Sequence, residues 1–285
     1  MRMKGDLHCH TKLSDGSEGI EDVISMAKRI RLEFVSTTDH DTLKWYSRAQ
    51  VLSQRYGVGI IRGVEFSTFD MERKQKAHIL CYLPLKPDRL EGICIRIGEQ
   101  RKRVGNEMAK KVMKKYPITP ESITKYSAGS TAIYKQHIMR ALFDAGFTDR
   151  IYGDLYSKLF DSKEGSCLVK MEYPSVYDVV ELIHSAGGIA VFAHPTVYHS
   201  MDLVEEMVSK HLIDGIEVYH PRNSEKDMAS LLELAQRNDL IVTGGSDFHG
   251  MYSSGTGHYV GSKVTKQDSL DKLFALSDKL KEQVK

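Results

Sequence analysis

The chain has 285 residues, 41% of them hydrophobic and 27% charged, with a formal net charge of +2. That length can bury one full-sized core or two smaller ones, and so small a net charge gives no global argument for nucleic acid or a membrane surface. Cys9, Cys81, Cys94 and Cys167 form no CxxC pair or zinc-finger spacing. No apolar run is long enough to cross a bilayer and no signal peptide is expected ahead of the first strand. A reducing, cytoplasmic setting is therefore expected.

Short apolar strands alternate with amphipathic helices. A strand near Lys4–His8 leads through a polar loop (Thr11–Glu18) to a helix over Ile20–Ile30. A strand over Glu33–Thr37 ends at Asp39-His40, and a helix follows to about Tyr56. Val58–Val64 reads as one strand ending at Glu65, and Ala77–Tyr82 as the next, carrying His78. Between Glu99 and Tyr173 the alternation lapses. Val104, Met108, Val112 and Tyr116 recur every four residues, as on one face of a long helix stopped by Pro117 and Pro120. His137–Ala145 reads as another helix closed by Gly146. The alternation then resumes with strands over Ile189–Phe192, Asp214–Val218 and Leu240–Thr243, ending near His194, His220 and Asp247.

Imidazoles and carboxylates thus collect at strand ends. Side chains alternate along a strand, so His8 and His10 share a face while Cys9 turns away to pack inside. Nitrogen and oxygen donors without thiolate suit borderline-to-hard divalent cations, and a metal-dependent hydrolase is the reading from the residues. Ligands drawn from at least six strands favour a closed β/α barrel over an open sheet, because barrel strands converge on one active face. Residues 1–98 and 174–285 are expected to build the barrel and 99–173 a helical insertion domain covering its mouth.

The ordered segments D-L-H-C-H-T-x-x-S-D-G, T-D-H-D, G-V-E-F-S, A-H-P, G-I-E-V-Y-H-P and G-S-D-F-H-G resemble the PHP (polymerase and histidinol phosphatase) superfamily, above all its stand-alone phosphoesterases of the TrpH-like or YciV-like type. The resemblance implies an α/β fold, a distorted (β/α)7 TIM-like barrel, holding two or three divalent ions (manganese, zinc or iron). It implies His8, His10, Glu65 and Asp247 at a first metal, Asp15, His40 and His249 at a second, and His78 and His194 with bridging Glu65 at a third. Three divalent cations against three carboxylates and one hydroxide leave about two positive charges, which suits a phosphomonoester dianion. Metal-activated hydroxide attacking phosphorus in line is the expected chemistry.

Around that set, Asp39 is expected to accept an imidazole N–H and so orient a ligand, and His220 to give a proton or hydrogen bond to phosphate. Lys135, His137 and Arg140 are expected to contact phosphate, Lys135 standing where the family often has arginine and lacking its bidentate fork. The run Arg101-Lys102-Arg103 reads as a solvated helix face, and His184, His199, His211 and His258 as structural or exposed. The expected substrate is a small phosphorylated molecule, a nucleoside 3′,5′-bisphosphate, AMP or the 5′ end of a short oligonucleotide, with no membrane and no obligatory protein partner. Histidinol phosphate is the nearest alternative within the fold. An amidohydrolase-type barrel and a non-catalytic metal-binding regulatory domain are the rivals outside it.

Overall fold

The computed structural model describes residues 3–284. Its nine strands are β1 (Lys4–Cys9), β2 (Phe34–Thr37), β3 (Gly59–Ile60), β4 (Gly63–Asp70), β5 (Gln75–Tyr82), β6 (Ile189–Phe192), β7 (Gly215–Tyr219), β8 (Ile241–Gly244) and β9 (Thr265–Lys266). They form two sheets, ordered β3-β2-β1-β9 and β4-β5-β6-β7-β8. The fold is mixed α/β. At one seam Cys9 bridges Phe248, beyond β8; at the other His40, beyond β2, bridges Glu65 of β4. Backbone bonds from His10 N to the Phe248 carbonyl (2.8 Å) and from Asp41 N to the Glu65 carbonyl (3.0 Å) fasten the two seams.

Strand β4 corrects the expected order. The segment expected as one strand over Val58–Val64 is split at Ile61-Arg62, where the chain passes from one sheet to the other: Gly59–Ile60 pairs with β2, and the strand from Gly63 pairs with β5. Past Glu65 the strand runs on to Asp70, turns within four residues (Lys74 at φ 53°), and β5 returns antiparallel, pairing Ser67 with His78. That reversal is too short to hold a helix. Glu65 and His78 therefore stand within a hairpin, not at the ends of parallel strands.

Alternation then sorts the side chains. On β4 to β7, Phe66, Ile79, Cys81, Phe192, Ile216 and Val218 turn outward and pack with the helix over Val176–Ser185 and its neighbours. The opposite face carries Leu80, Tyr82 and Val191, fully buried with Leu7, Ile241 and Leu270 beneath the polar site. Each such side chain contributes roughly 1.5–3 kcal/mol of burial. Tyr82 satisfies its hydroxyl by donating to the Leu7 carbonyl at 2.8 Å.

The expected boundary at residue 99 falls inside one continuous helix, Glu91–Met113. Its first half (Ile93, Ile97) joins the core of the β4–β8 sheet, whereas Val104, Met108 and Val112 join a separate cluster with Ile138, Leu142, Leu159, Phe160 and Cys167. Helices Pro120–Ser127, Lys135–Asp144 and Asp154–Phe160 complete that second cluster. It meets the sheets near the site, where Thr131 N and Ser130 Oγ donate to the Leu13 and Ser14 carbonyls. Among the described residues no helix is long and apolar enough to cross a membrane.

Candidate metal centre

Two buried carboxylates shape the loops before any metal is considered. Asp6, on β1, accepts from Ser246 N and Gly261 N, drawing the loop after β8 onto β1. At Gly245 that approach leaves no room for a side chain, since a Cβ would lie 2.3 Å from His8 Cβ. Asp39 accepts from Thr11 N and Ser14 N with Oδ1 and from Thr11 Oγ1 with Oδ2, fixing the loop that ends at Asp15. Among the described residues no imidazole hydrogen-bonds to it. The expected role of Asp39 as an imidazole acceptor is thus corrected: four donors from residues 11 and 14 use its oxygens.

These loops bring nine donors together. His8 Nε2 lies 3.2 Å from His10 Nε2, 3.2 Å from Glu65 Oε2 and 3.6 Å from Asp247 Oδ1. His10 Nε2 lies 3.1 Å from Glu65 Oε2 and 3.3 Å from Asp247 Oδ1. A tetrahedral cation with ligand bonds of about 2.05 Å has donor–donor edges of about 3.3 Å, and the three edges among His8, His10 and Glu65, a group spaced for one ion, lie close to that value, with Asp247 Oδ1 beside both imidazoles. Asp15 Oδ1 lies 3.2 Å from His249 Nε2, and Asp15 Oδ2 is 3.9 Å from His40 Nε2, a looser group. His78 Nδ1 and His194 Nε2 both reach Glu65 Oε1, at 2.7 and 2.8 Å. Those are hydrogen-bond lengths, so a cation between them would have to spread the pair. Glu65 sits at the centre, one oxygen toward His8, His10 and His40, the other toward His78 and His194.

Backbone strain marks two of these positions. Asp247 has φ 48° and His194 φ 23°, in the left-handed region that non-glycine residues avoid.

Glu217 is the partner sequence reasoning missed. Fully buried on β7, it takes a hydrogen bond from His8 Nδ1 (2.9 Å) and another from His194 N (2.9 Å). The first sets the His8 tautomer and leaves Nε2 free to ligate. Its signal was present in the alternation of Ile216-Glu217-Val218, a charge between two outward-facing apolar residues.

Burial alone would keep His10 neutral, but hydrogen bonds to Asp247 and Glu65 push its pKa up to about 10. For His8, burial is outweighed by Glu217 and Glu65, and its pKa is raised well above the ordinary value. Burial would favour the neutral acids, yet His78 and His8 hold Glu65, and His249 with His10 holds Asp247, well below the carboxylate range. Asp15 is held low in the same way, by His249 and His40. Burial wins at His40 and His78, which are pushed down. Imidazoles drawn toward the charged form by buried carboxylates held in theirs are the charge pattern of a metal-binding set.

His220 is fully buried; its Nδ1 accepts from Arg222 N, so its proton is on Nε2, 3.3 Å from Asp247 Oδ2. Burial pushes it below the usual histidine range. That places a neutral N–H against a candidate ligand.

The expected phosphate contacts need correction. The helix over Lys135–Asp144 rotates about 100° per residue, and only Gln136 turns to the site, donating to Asp15 Oδ2 at 3.1 Å. Lys135 packs over the Tyr156 and Phe160 rings, and burial brings its pKa down to about 8. His137 folds back to accept from Tyr134 N at the helix start. Arg140 pairs with Asp144 and lies over Phe143. Arg101 is corrected too: it is no wet helix face but grips Asp41 Oδ2 at 2.5 Å and Ser67 Oγ at 3.0 Å. His258, expected to be structural or exposed, is mostly buried and lines the site.

Seven of the nine candidate ligands, all but His8 and His10, border a cavity of about 340 Å³, whose wall also includes Gln136, Tyr152, Tyr198 and Arg222. The PHP domain family matches residues 6–242. This chain belongs to the PHP domain family. A phosphoribosyl 1,2-cyclic phosphate 1,2-diphosphodiesterase of Eggerthella lenta is 35% identical to this PHP protein over 261 residues, covering 91% of this chain and 98% of the relative. A 3′,5′-nucleoside bisphosphate phosphatase of Chromobacterium violaceum is 28% identical over 257 residues, 86% of each chain. A crystal structure from Bifidobacterium adolescentis, described as a metal-dependent phosphoesterase, superposes with a TM-score of 0.84 at 26% identity, covering 95% of this chain and 96% of the other. This PHP protein is a metal-dependent phosphoesterase, a hydrolase of phosphate esters.

Proposed function

We propose that the centre hydrolyses a phosphate ester on a small ribose-type molecule that carries a second phosphoryl group. The observation that carries this reading is the set of His8, His10 and Glu65, spaced for one cation with Asp247 beside it, next to a cavity walled by Asp15, His194 and Asp247. Its volume of about 340 Å³ is near the small end of ligand pockets, roughly 300–1,000 Å³, and suits a mononucleotide-sized molecule. Two of the relatives bear names with that chemistry, a phosphoribosyl cyclic phosphate and a nucleoside bisphosphate, while others are named 5′-3′ exoribonucleases. The expectation of phosphomonoesters is widened here to include a cyclic diester on the same sugar.

Two or three divalent ions, manganese, zinc or iron, would be held by His8, His10, Glu65 and Asp247, by Asp15, His40 and His249, and by His78 and His194 with Glu65. When bound they supply a water of lowered pKa and positive charge for phosphate oxygens. The protein's own residues do the rest. Glu217 holds His8 in the ligating tautomer, His220 packs its Nε2 within 3.3 Å of Asp247 Oδ2, and Gln136 steadies Asp15. A neutral His220 is a weak acid, so its place is that of a positioning residue. The two sheets with their two bridging seams are read as a distorted barrel, and the four free thiols as fitting a reducing cytoplasm.

A phosphate-release screen of the manganese-loaded protein tests this. It should cover phosphoribosyl 1,2-cyclic phosphate, adenosine 3′,5′-bisphosphate, AMP, histidinol phosphate and short RNA. Fastest turnover is expected among the first two; preference for histidinol phosphate or RNA would overturn the substrate class.

A further inference from the structure

Arg222 is the one lysine or arginine among the residues lining the catalytic cavity. Its backbone is fixed from several sides. Its N–H donates to His220 Nδ1, the neighbouring Asn223 N donates to the His220 carbonyl, and Asn223 Nδ2 donates to the Val218 carbonyl. Thr196 Oγ1 then donates to Asn223 Oδ1 at 2.5 Å, tying this loop to the one after β6. The guanidinium itself has no hydrogen bond and no ion pair among the described residues, whereas Arg73, Arg101 and Arg140 each grip a carboxylate. Arg222 is exposed at the cavity wall, and a guanidinium on a fixed base with no partner of its own is suited to bind an anion there.

We propose that Arg222 anchors the second phosphoryl group of the substrate, the one that is not cleaved, and thereby selects bisphosphorylated ribose over its monophosphate. The inference rests on the phosphoesterase reading above and deepens it. The carboxylates lining the cavity are already committed: Asp15, Glu65 and Asp247 all face imidazoles. None is left to neutralise Arg222. The reach is short as well. His220 lies against Asp247, and Arg222 stands two residues further along the same loop, on the wall of the cavity that Asp247 also lines.

The test uses two substrates that differ only in the second phosphate, adenosine 3′,5′-bisphosphate and adenosine 3′-monophosphate, with the full manganese-loaded chain. The wild-type protein should favour the bisphosphate in kcat/KM by roughly 10- to 100-fold, the usual worth of a charge-assisted contact. Arg222→Ala should bring the ratio close to one, mostly by raising KM for the bisphosphate, and Arg222→Lys should fall between, keeping the charge without the fork. An equal loss on both substrates in both variants would show a merely structural role and overturn the inference. So would a wild-type enzyme that turns over p-nitrophenyl phosphate yet does not distinguish the pair. Failure of the wild type on all three compounds would instead overturn the phosphoesterase reading.

Discussion

His8 and Glu217 show how far a buried ligand depends on the residue behind it. Replacing Glu217 by alanine removes the acceptor of His8 Nδ1 and frees the ring to change tautomer; metal affinity should fall roughly 10- to 100-fold, measured by competition with a chromophoric chelator. An unchanged affinity would remove Glu217 from the centre. His8→Ala and Asp247→Ala should each abolish turnover while far-ultraviolet circular dichroism stays that of the wild type; retained activity in either would take that residue off the ligand set. Protonation gives a further test. His10 is raised from 6.5 to about 10 in the metal-free fold, so its stabilisation is fully present below pH 6.5 and is lost as pH rises through about 10. The lowered Asp15, Glu65 and Asp247 act oppositely: their stabilisation is present above their unfolded values of 3.8 to 4.5 and is lost as pH falls through the depressed folded values. Metal-free protein should therefore lose Tm between pH 7 and pH 10.5, and metal binding should release protons and weaken on acidification. A Tm flat over that range would contradict the charge pairing.

At the scale of elements, the metal-ligand segments were legible because chemistry at a strand end leaves a local trace: His8 and His10 two apart, Asp247 and His249 two apart. The hairpin of β4 and β5 was not, since Val58–Val64 and Ala77–Tyr82 have the same apolar runs whether the strands are parallel or antiparallel. Only the length of the turn decides, and Met71–Lys74 reads as charged loop either way. The phosphate contacts failed for a related reason. Composition located a basic helix start at Lys135, but a single residue of register decides which side chain meets the cavity, and the structure turns Gln136 there. Arg222 was overlooked because it sits in no recognisable spacing, and Glu217, though inside the G-I-E-V-Y-H-P segment, because its role comes from the histidine that faces it across the sheet. Gly245 tests the element packing. With a Cβ 2.3 Å from His8 Cβ and 2.4 Å from its backbone N, Gly245→Ala must push the loop after β8 off β1, costing about 1–3 kcal/mol and weakening metal binding together with stability. Loss of stability with metal affinity intact would mean that Asp247 does not depend on this contact.

Across the whole molecule, one helix carries two cores. Ile97 and Val104 stand on the same helix but in different clusters, so the sheets and the helical segment share a rigid rod. Leu142→Ala, in the helical cluster, should cost about 2–5 kcal/mol and lower a single calorimetric transition; two separated transitions would show that the parts melt independently. The same construction holds Asp15, Gln136 and the loop after β8 around one cavity, and everything functional depends on a cation seated there. Anomalous diffraction at the zinc edge, from crystals soaked in zinc, tests this most directly. An ion is expected about 2.0–2.2 Å from His8 Nε2, His10 Nε2, Glu65 Oε2 and Asp247 Oδ1, with further density near Asp15 and His249. A quartet that stays at its present spacing with no anomalous density at its centre would contradict the metal centre itself.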